Sequence, residues 1–372
     1  MLQRWITLLI VGACRAEPQP VVETACADCG ESADSRVAKG DGAADASTAP
    51  DPAADVTESD VATGNGTPDV ADAGVEAPSP LPACFTESAP VVLSGAGVPY
   101  GEVGVDGARG WFLVDWASTF TTIDVFGFTT PPQALPNGRF PAFEWFGSWG
   151  DVTLVTQDHS GIPSAVRQAG ILGTDFLSKH AYLLDFEASV VHRASAPCEL
   201  SADRWARLDA TGTFSTSLAA LPPGQPNVPA VPVRLAGATA RAQLDTGFDD
   251  LAEPYSVNIN AAFFDQLDPS ALTRDPSLDL WLTTCAGVAE PVEAWRASGP
   301  LELLADDGTA AVTVTAPIIF VKRTPAVAWH CGGIGTWSMP AAQVGATVIR
   351  EAVRVLFDPH TSSVYVPRGP LP

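Results

Sequence analysis

The 372-residue sequence is poor in basic side chains: 20 Lys and Arg stand against 43 Asp and Glu, a formal net charge of −23. Phosphate backbones are held by Lys and Arg patches, so this balance argues against a nucleic-acid partner. No run of 18 apolar residues occurs, so no transmembrane helix is expected. The five histidines (159, 180, 192, 330 and 360) are scattered without an H-E-x-x-H, and neither a G-x-S-x-G elbow nor a Walker loop is present. His159 and His330 fall in turn-rich segments and are expected at the surface. Gly95-Ala96-Gly97 precedes a strand pattern rather than a helix, so it is not a dinucleotide loop. The pair Cys26 and Cys29 has no second C-x-x-C or His pair to complete a zinc site. No metal or cofactor is therefore expected.

What is present is apolar and turn-rich. Apolar residues make up 46% of the chain and charged residues 17%, enough for a sizeable core. The 32 glycines and 33 prolines, with many Val, Thr, Phe and Trp, favour β architecture over helix bundles. At roughly 150 residues per domain the length fits two domains.

Residues 1–14 read as an address. Arg4 precedes the apolar stretch Trp5–Val11, and small residues lead to Cys14. This is a secretory pattern too short to span a membrane. Val11-Gly12-Ala13-Cys14 resembles the lipobox of bacterial lipoprotein signals. That resemblance implies cleavage before Cys14, acylation of its thiol, and an exported chain held to the bilayer of the cell envelope; Arg15 after the cysteine favours the outer membrane. Residues 15–82 contain no Phe, Trp or Tyr, and fourteen acidic residues against three basic ones. Such a segment buries too little apolar surface to offset its conformational entropy and is expected to be a disordered acidic linker. Setting Cys14 aside leaves six cysteines, an even number that suits an oxidising compartment. Cys84 and Cys198 bracket one half of the remaining chain, and Cys285 and Cys331 lie in the other. A disulfide is expected within each half, and Cys26 and Cys29 are able to close on each other.

The region after the linker repeats itself. In residues 101–115 a strand turns at Asp106-Gly107 into a second strand, Trp111–Val114, ending in Asp115. In residues 231–245 a strand turns at Gly237 into Ala240–Leu244, ending in Asp245. Each hairpin is followed by an apolar strand ending in glycine, a short helix and another hairpin. Ile171-Leu172-Gly173 leads to Asp185, and Gln343-Val344-Gly345 leads to Asp358, with Gly-to-Asp spacings of twelve and thirteen residues.

On these residues the chain resembles the aspartic peptidases. Asp245-Thr246-Gly247-Phe248-Asp249-Asp250 is similar to the D-T-G-x-D-D motif of the retroviral type, and Ile171-Leu172-Gly173 to the family's apolar-apolar-Gly motif, of which Val344-Gly345 is a weaker copy. The duplication in one chain is similar to the pepsin-like members. The resemblance covers about 290 residues, essentially everything after the linker. It implies an all-β fold of two lobes, residues 83–220 and 221–372, with Asp115 and Asp245 as the catalytic pair. Thr246 and Gly247 then support the loop, the threonine by a hydroxyl reaching across the lobe interface, and Ser118 offers a hydroxyl near Asp115. The implied activity is endopeptidic hydrolysis of an extended polypeptide by water activated between the two carboxylates.

The first motif, Asp115-Trp116-Ala117-Ser118, departs from the family pattern. Trp116 supplies no bridging hydroxyl, and Ala117 is strained if its φ is positive. Trp116 either donates its indole N–H across the interface or fills it by packing. A degenerate module that binds peptides without cutting them is thus the alternative function, and a β-rich structural envelope protein a third. A flap is expected in Phe140–Val155, where Trp145, Phe146 and Trp149 either overhang the cleft or belong to the core. In the second half the corresponding segment, Trp281–Lys322, is longer and its flap has no clear position.

Overall fold

The computed structural model describes residues 81–283, 289–323, 334 and 337–369. The lipobox with Cys14, the acidic linker up to residue 80, Cys26, Cys29, the Cys285–Cys331 pairing and His330 lie outside the described residues.

Strands dominate. In chain order they are β1 (Phe85–Ser94), β2 (Val98–Val105), β3 (Ala108–Val114), β4 (Thr122–Ile123), β5 (Arg139–Glu144), β6 (Ser148–Thr153), β7 (Val155–Thr156), β8 (Gln168–Leu172), β9 (Tyr182–Asp185), β10 (Val190–Ala194), β11 (Trp205–Asp209), β12 (Ala230–Leu235), β13 (Ala238–Leu244), β14 (Ser256–Asn260), β15 (Leu272–Arg274), β16 (Leu280–Thr283), β17 (Ala289–Ala297), β18 (Leu301–Leu304), β19 (Ala310–Val314), β20 (Ile318–Lys322), β21 (Ala341–Val344), β22 (Arg354–Asp358) and β23 (Ser363–Pro367). The helices are single turns, such as Thr174–Leu177 and Ala346–Arg350. The strands form one 13-stranded and one 10-stranded sheet.

The sequence repeat is a repeat of strand order. In the first half, hairpin β2–β3 is followed in the sheet by β8 parallel to β3, β4 antiparallel to β8 and β7 parallel to β4. In the second half, hairpin β12–β13 is followed by β21 parallel to β13, β14 antiparallel to β21 and β20 parallel to β14. The two hairpin turns share a backbone with φ > 0 at both central residues. Asp106 and Gly107 have φ of 48° and 81°, and Ala236 and Gly237 have 47° and 82°. Such a pair matches the right-handed twist of the flanking strands. Glycine meets it without cost; Asp106 and Ala236 bear the steric penalty in each turn.

The two halves also share strands. β9 pairs antiparallel with β22, in the register Tyr182 with Phe357 through Asp185 with Arg354. With β10 and β1 on one side and β23 and β11 on the other, this makes a six-strand run to which both halves contribute. A buried ion pair crosses it, with Arg354 Nε 2.6 Å from Asp185 Oδ2. The Cys84–Cys198 disulfide, with Cα atoms 5.2 Å apart, ties the start of β1 to the chain beyond β10.

Candidate functional site

Asp115 follows β3 and Asp245 follows β13, and the backbone holds them in the same way. The N–H of Asp115 donates to Leu172 O at the end of β8, and that of Asp245 to Val344 O at the end of β21, both at 3.0 Å. Each aspartate then turns back on its own loop. Asp115 Oδ1 accepts from Ala117 N at 2.8 Å, and Asp245 Oδ1 from Gly247 N at 3.0 Å. One residue further, Ser118 O accepts from Thr174 N, and Phe248 O from Ala346 N, so each loop is pinned to the short helix after its glycine. The glycines are required by close approach. A Cβ on Gly173 would lie 2.6 Å from Phe120 O, and one on Gly345 2.8 Å from Phe248 O.

A further pair of contacts is repeated with the chemistry exchanged. Asp175, on the helix of the first half, accepts from the backbone and hydroxyl of Thr121 at 3.0 and 2.7 Å. In the second half the helix supplies the threonine: Asp250 accepts from Thr347 N at 2.9 Å and from the Thr347 hydroxyl.

The two loops meet. Thr246 Oγ1 accepts from Trp116 N at 3.2 Å and donates to Val114 O at 2.8 Å, so a second-half hydroxyl grips the first-half loop on both sides of Asp115. Gly247 lies against the Asp115 carboxylate: a Cβ there would be 2.9 Å from Asp115 Oδ2. Both acids are nearly closed off, Asp115 being 3% and Asp245 7% exposed. Burial pushes Asp115 well above the usual carboxylate range, and the neighbouring Asp245 charge pushes the same way; N–H groups of Ala117, Ser118 and Gly247 act against them. Burial also raises Asp245, to about 6, against the pull of the Gln343 hydrogen bond, the Gly247 N–H and the Lys322 charge. Where two carboxyls repel each other, the repulsion falls on whichever ionises second.

The first-half loop is held differently. Trp116 is fully buried, and its indole Nε1 has no hydrogen-bond partner among the described residues. The ring stacks on Phe357 of β22 and meets Tyr182 of β9 edge-on, so it fills the space between the loop and the shared strands by packing. The cross-loop contact returned to the second half comes instead from Gln243, whose Nε2 donates to Ala117 O at 3.2 Å. Ala117 is absent from the left-handed region, so the strain anticipated there does not arise. Ser118 turns its hydroxyl to Phe120 O at 2.8 Å, and only its N–H bears on Asp115.

The aromatic residues of the β5–β6 hairpin pack on the first-half core. Trp145 is buried and stacks on Tyr182, Phe146 meets the edge of Trp145, and Trp149 packs on Phe176 and His180 while donating to Trp145 O at 2.8 Å. Of the two readings of these residues, these contacts describe core packing: three large apolar rings gain more from one another and from Tyr182 than from solvent. The tip of the corresponding β16–β17 hairpin lies outside the described residues. His159, expected at the surface, is instead buried at 2% exposure. Its Nε2 lies 3.0 Å from Thr122 Oγ1, its backbone N–H donates to Asp124 Oδ2, and burial holds the imidazole below its ordinary pKa.

Several residues near the pair escaped sequence reasoning. Gln343, Asn258 and Lys322 lie behind Asp245. Tyr100 donates to Gln168 Oε1, and burial, reinforced by Asp249 and Asp115 charges, pushes its phenol up to about 12. The one available signal was Gln343, a polar residue where the first half has Ile171. No cluster of His, Cys, Asp or Glu able to hold a metal occurs among the described residues. No protein-family model matches the chain, and no curated protein matches it at a significant level.

Proposed function

We propose that this protein is an aspartic-type endopeptidase of two lobes, with Asp115 and Asp245 as its dyad. One observation carries the reading. Two buried, electrostatically coupled carboxylates sit at the same point of two copies of one strand order, each held by the N–H two residues on, with Thr246 gripping the opposite loop. In this reading the ionised carboxylate takes a proton from water as the water oxygen adds to the peptide carbonyl carbon, and the protonated carboxyl donates to the carbonyl oxygen. Collapse of the resulting diol sends a proton to the amide nitrogen, the C–N bond breaks, and an acid and an amine leave with the pair again singly protonated.

A second reading is a peptide-binding module that does not cut. It is favoured by Trp116, which occupies the position where the resemblance expects a hydroxyl and offers only a packed ring. The same proposal extends to location: the chain is exported and acylated at Cys14, which fits a disulfide at Cys84–Cys198. Fractionation and gel migration of Cys14→Ala test this: the variant should be released or held by an uncut signal, and one that both fractionates and migrates like the parent rules it out.

Digestion of a denatured protein across roughly pH 3–7, the range in which such a dyad titrates, decides between the readings. The peptidase reading expects hydrolysis lost in Asp115→Asn and in Asp245→Asn, with the double variant no worse than either. Peptide binding without hydrolysis by the parent selects the module. Full activity in either single variant overturns the dyad.

A further inference from the structure

Behind Asp245 a chain of polar side chains runs through the second-half sheet. Gln343 on β21 donates Nε2–H to Asp245 Oδ2. Its Oε1 accepts from Asn258 Nδ2 on β14 at 3.0 Å and from Lys322 Nζ on β20 at 3.2 Å. An ammonium has only hydrogens to offer, so the amide oxygen must face Lys322 and the amide N–H must face the carboxylate. The orientation of Gln343 is thus set by the cation at its far end.

Among the described residues no charged side chain is linked to Asp115 in this way; the polar contact at the equivalent positions, Thr122 Oγ1 with His159 Nε2 at 3.0 Å, ends on a histidine that burial holds below its ordinary pKa. The strand register puts Ile171 of β8 in the place of Gln343, and Thr122 of β4, paired with Ile171, in the place of Asn258. Ile171 is fully buried and packs with Val98, Tyr100 and Leu113. One carboxylate is therefore backed by an N–H donor and a positive charge, where the other has the side chain of Ile171 in the equivalent position.

We propose that Lys322, acting through Gln343, is a positioning residue that places the negative charge of the pair on Asp245 and leaves the shared proton on Asp115. The charge placement stands on the geometry. Its consequence, Asp245 as general base and Asp115 as acid, rests on the peptidase reading above. Asp115 itself repels a second charge, the Tyr100 phenol stays neutral, and Asp249 and Asp250 are tied to Ala96 N and Thr347. The opposite directions of the Gln343 and Lys322 contributions on Asp245 and of the Asp245 charge on Asp115 agree with this division.

The test reads protonation without turnover, so an inactive enzyme does not obscure it. The full chain is labelled with 13C at the aspartate carboxyls and titrated by NMR, with Asp115→Asn and Asp245→Asn identifying the two signals. The Asp245 signal is expected to make most of its change in the lower of the pair's two steps. Lys322→Met should move that step up by about one pH unit, a tenfold change in proton affinity, and Lys322→Arg should restore it. Lys322→Gln carries the same expectation should the methionine variant misfold, and the parent titration alone ranks the two acids. The proposal is overturned if Asp115 changes first, or if Asp245 titrates identically with and without the charge at 322.

Discussion

Trp116 and Phe357 stack at a centroid separation of 4.0 Å and an interplanar angle of 11°, one from the first-half loop and the other from the second-half strand β22. The loop that carries Asp115 is thus seated on strands of the other half by ring packing, where the loop of Asp245 uses a threonine hydroxyl. Trp116→Thr empties a fully buried site and is expected to cost about 3–5 kcal/mol in urea unfolding. Trp116→Phe keeps the stack and removes an unpartnered indole N–H whose burial costs about 1–3 kcal/mol, so it should be much milder. Equal losses in the two variants would show that stacking is not what seats the loop.

Gly247 is needed for contact across the halves rather than for its own backbone, since its φ is not in the left-handed region. Gly247→Ala puts a methyl 2.9 Å from Asp115 Oδ2 and 3.0 Å from Leu113 Cδ2, so the carboxylate must move. The expected result is a modest stability loss, about 1–3 kcal/mol, together with loss of peptide hydrolysis or binding. Unchanged function at equal stability would show that the Asp115 position is not critical.

Asp250 is pushed from 3.8 to about 6 by burial, despite its two hydrogen bonds from Thr347. The folded protein therefore holds a proton there that the unfolded chain releases. The stabilisation is complete below about pH 4 and is lost as pH rises through 6. The half-buried and buried histidines 159, 180 and 192, held below their ordinary value chiefly by burial, act in the opposite sense as pH falls through 6.5. Comparing the parent with Asp250→Asn cancels them. Relative to the variant, the parent should lose roughly 1–3 kcal/mol between pH 4 and pH 7, measured by urea unfolding at each pH. A constant difference would place the Asp250 titration elsewhere.

The Cys84–Cys198 bridge closes a loop with a sequence separation of 114 residues. Replacing both cysteines by alanine is expected to lower stability by about 2–5 kcal/mol, read as a shift in denaturation midpoint under oxidising conditions. Added reductant should abolish the difference in stability between the parent and the variant.

Local sequence alone determined the hairpins, their Asp-Gly and Ala-Gly turns, the glycines that end β8 and β21, and the aspartates that end β3 and β13. These are fixed by alternation, by turn chemistry and by the lack of a Cβ, all of which act within a few residues. The duplication was visible for the same reason, because each copy carries its own turns and glycines. The pairing of Cys84 with Cys198 was readable from their placement at the two ends of one copy.

Tertiary structure decided whatever depends on which side chains face each other across the halves. Whether Trp116 donates or packs was settled by Phe357, 241 positions away in sequence. Trp145 and Phe146 joined Tyr182 because strand β9 offered them a ring. Lys322 met Gln343 through the side-by-side order of β20, β14 and β21, which no local pattern announces. Periodicity states which face of a strand is apolar; the partner on that face is chosen only when the sheet closes.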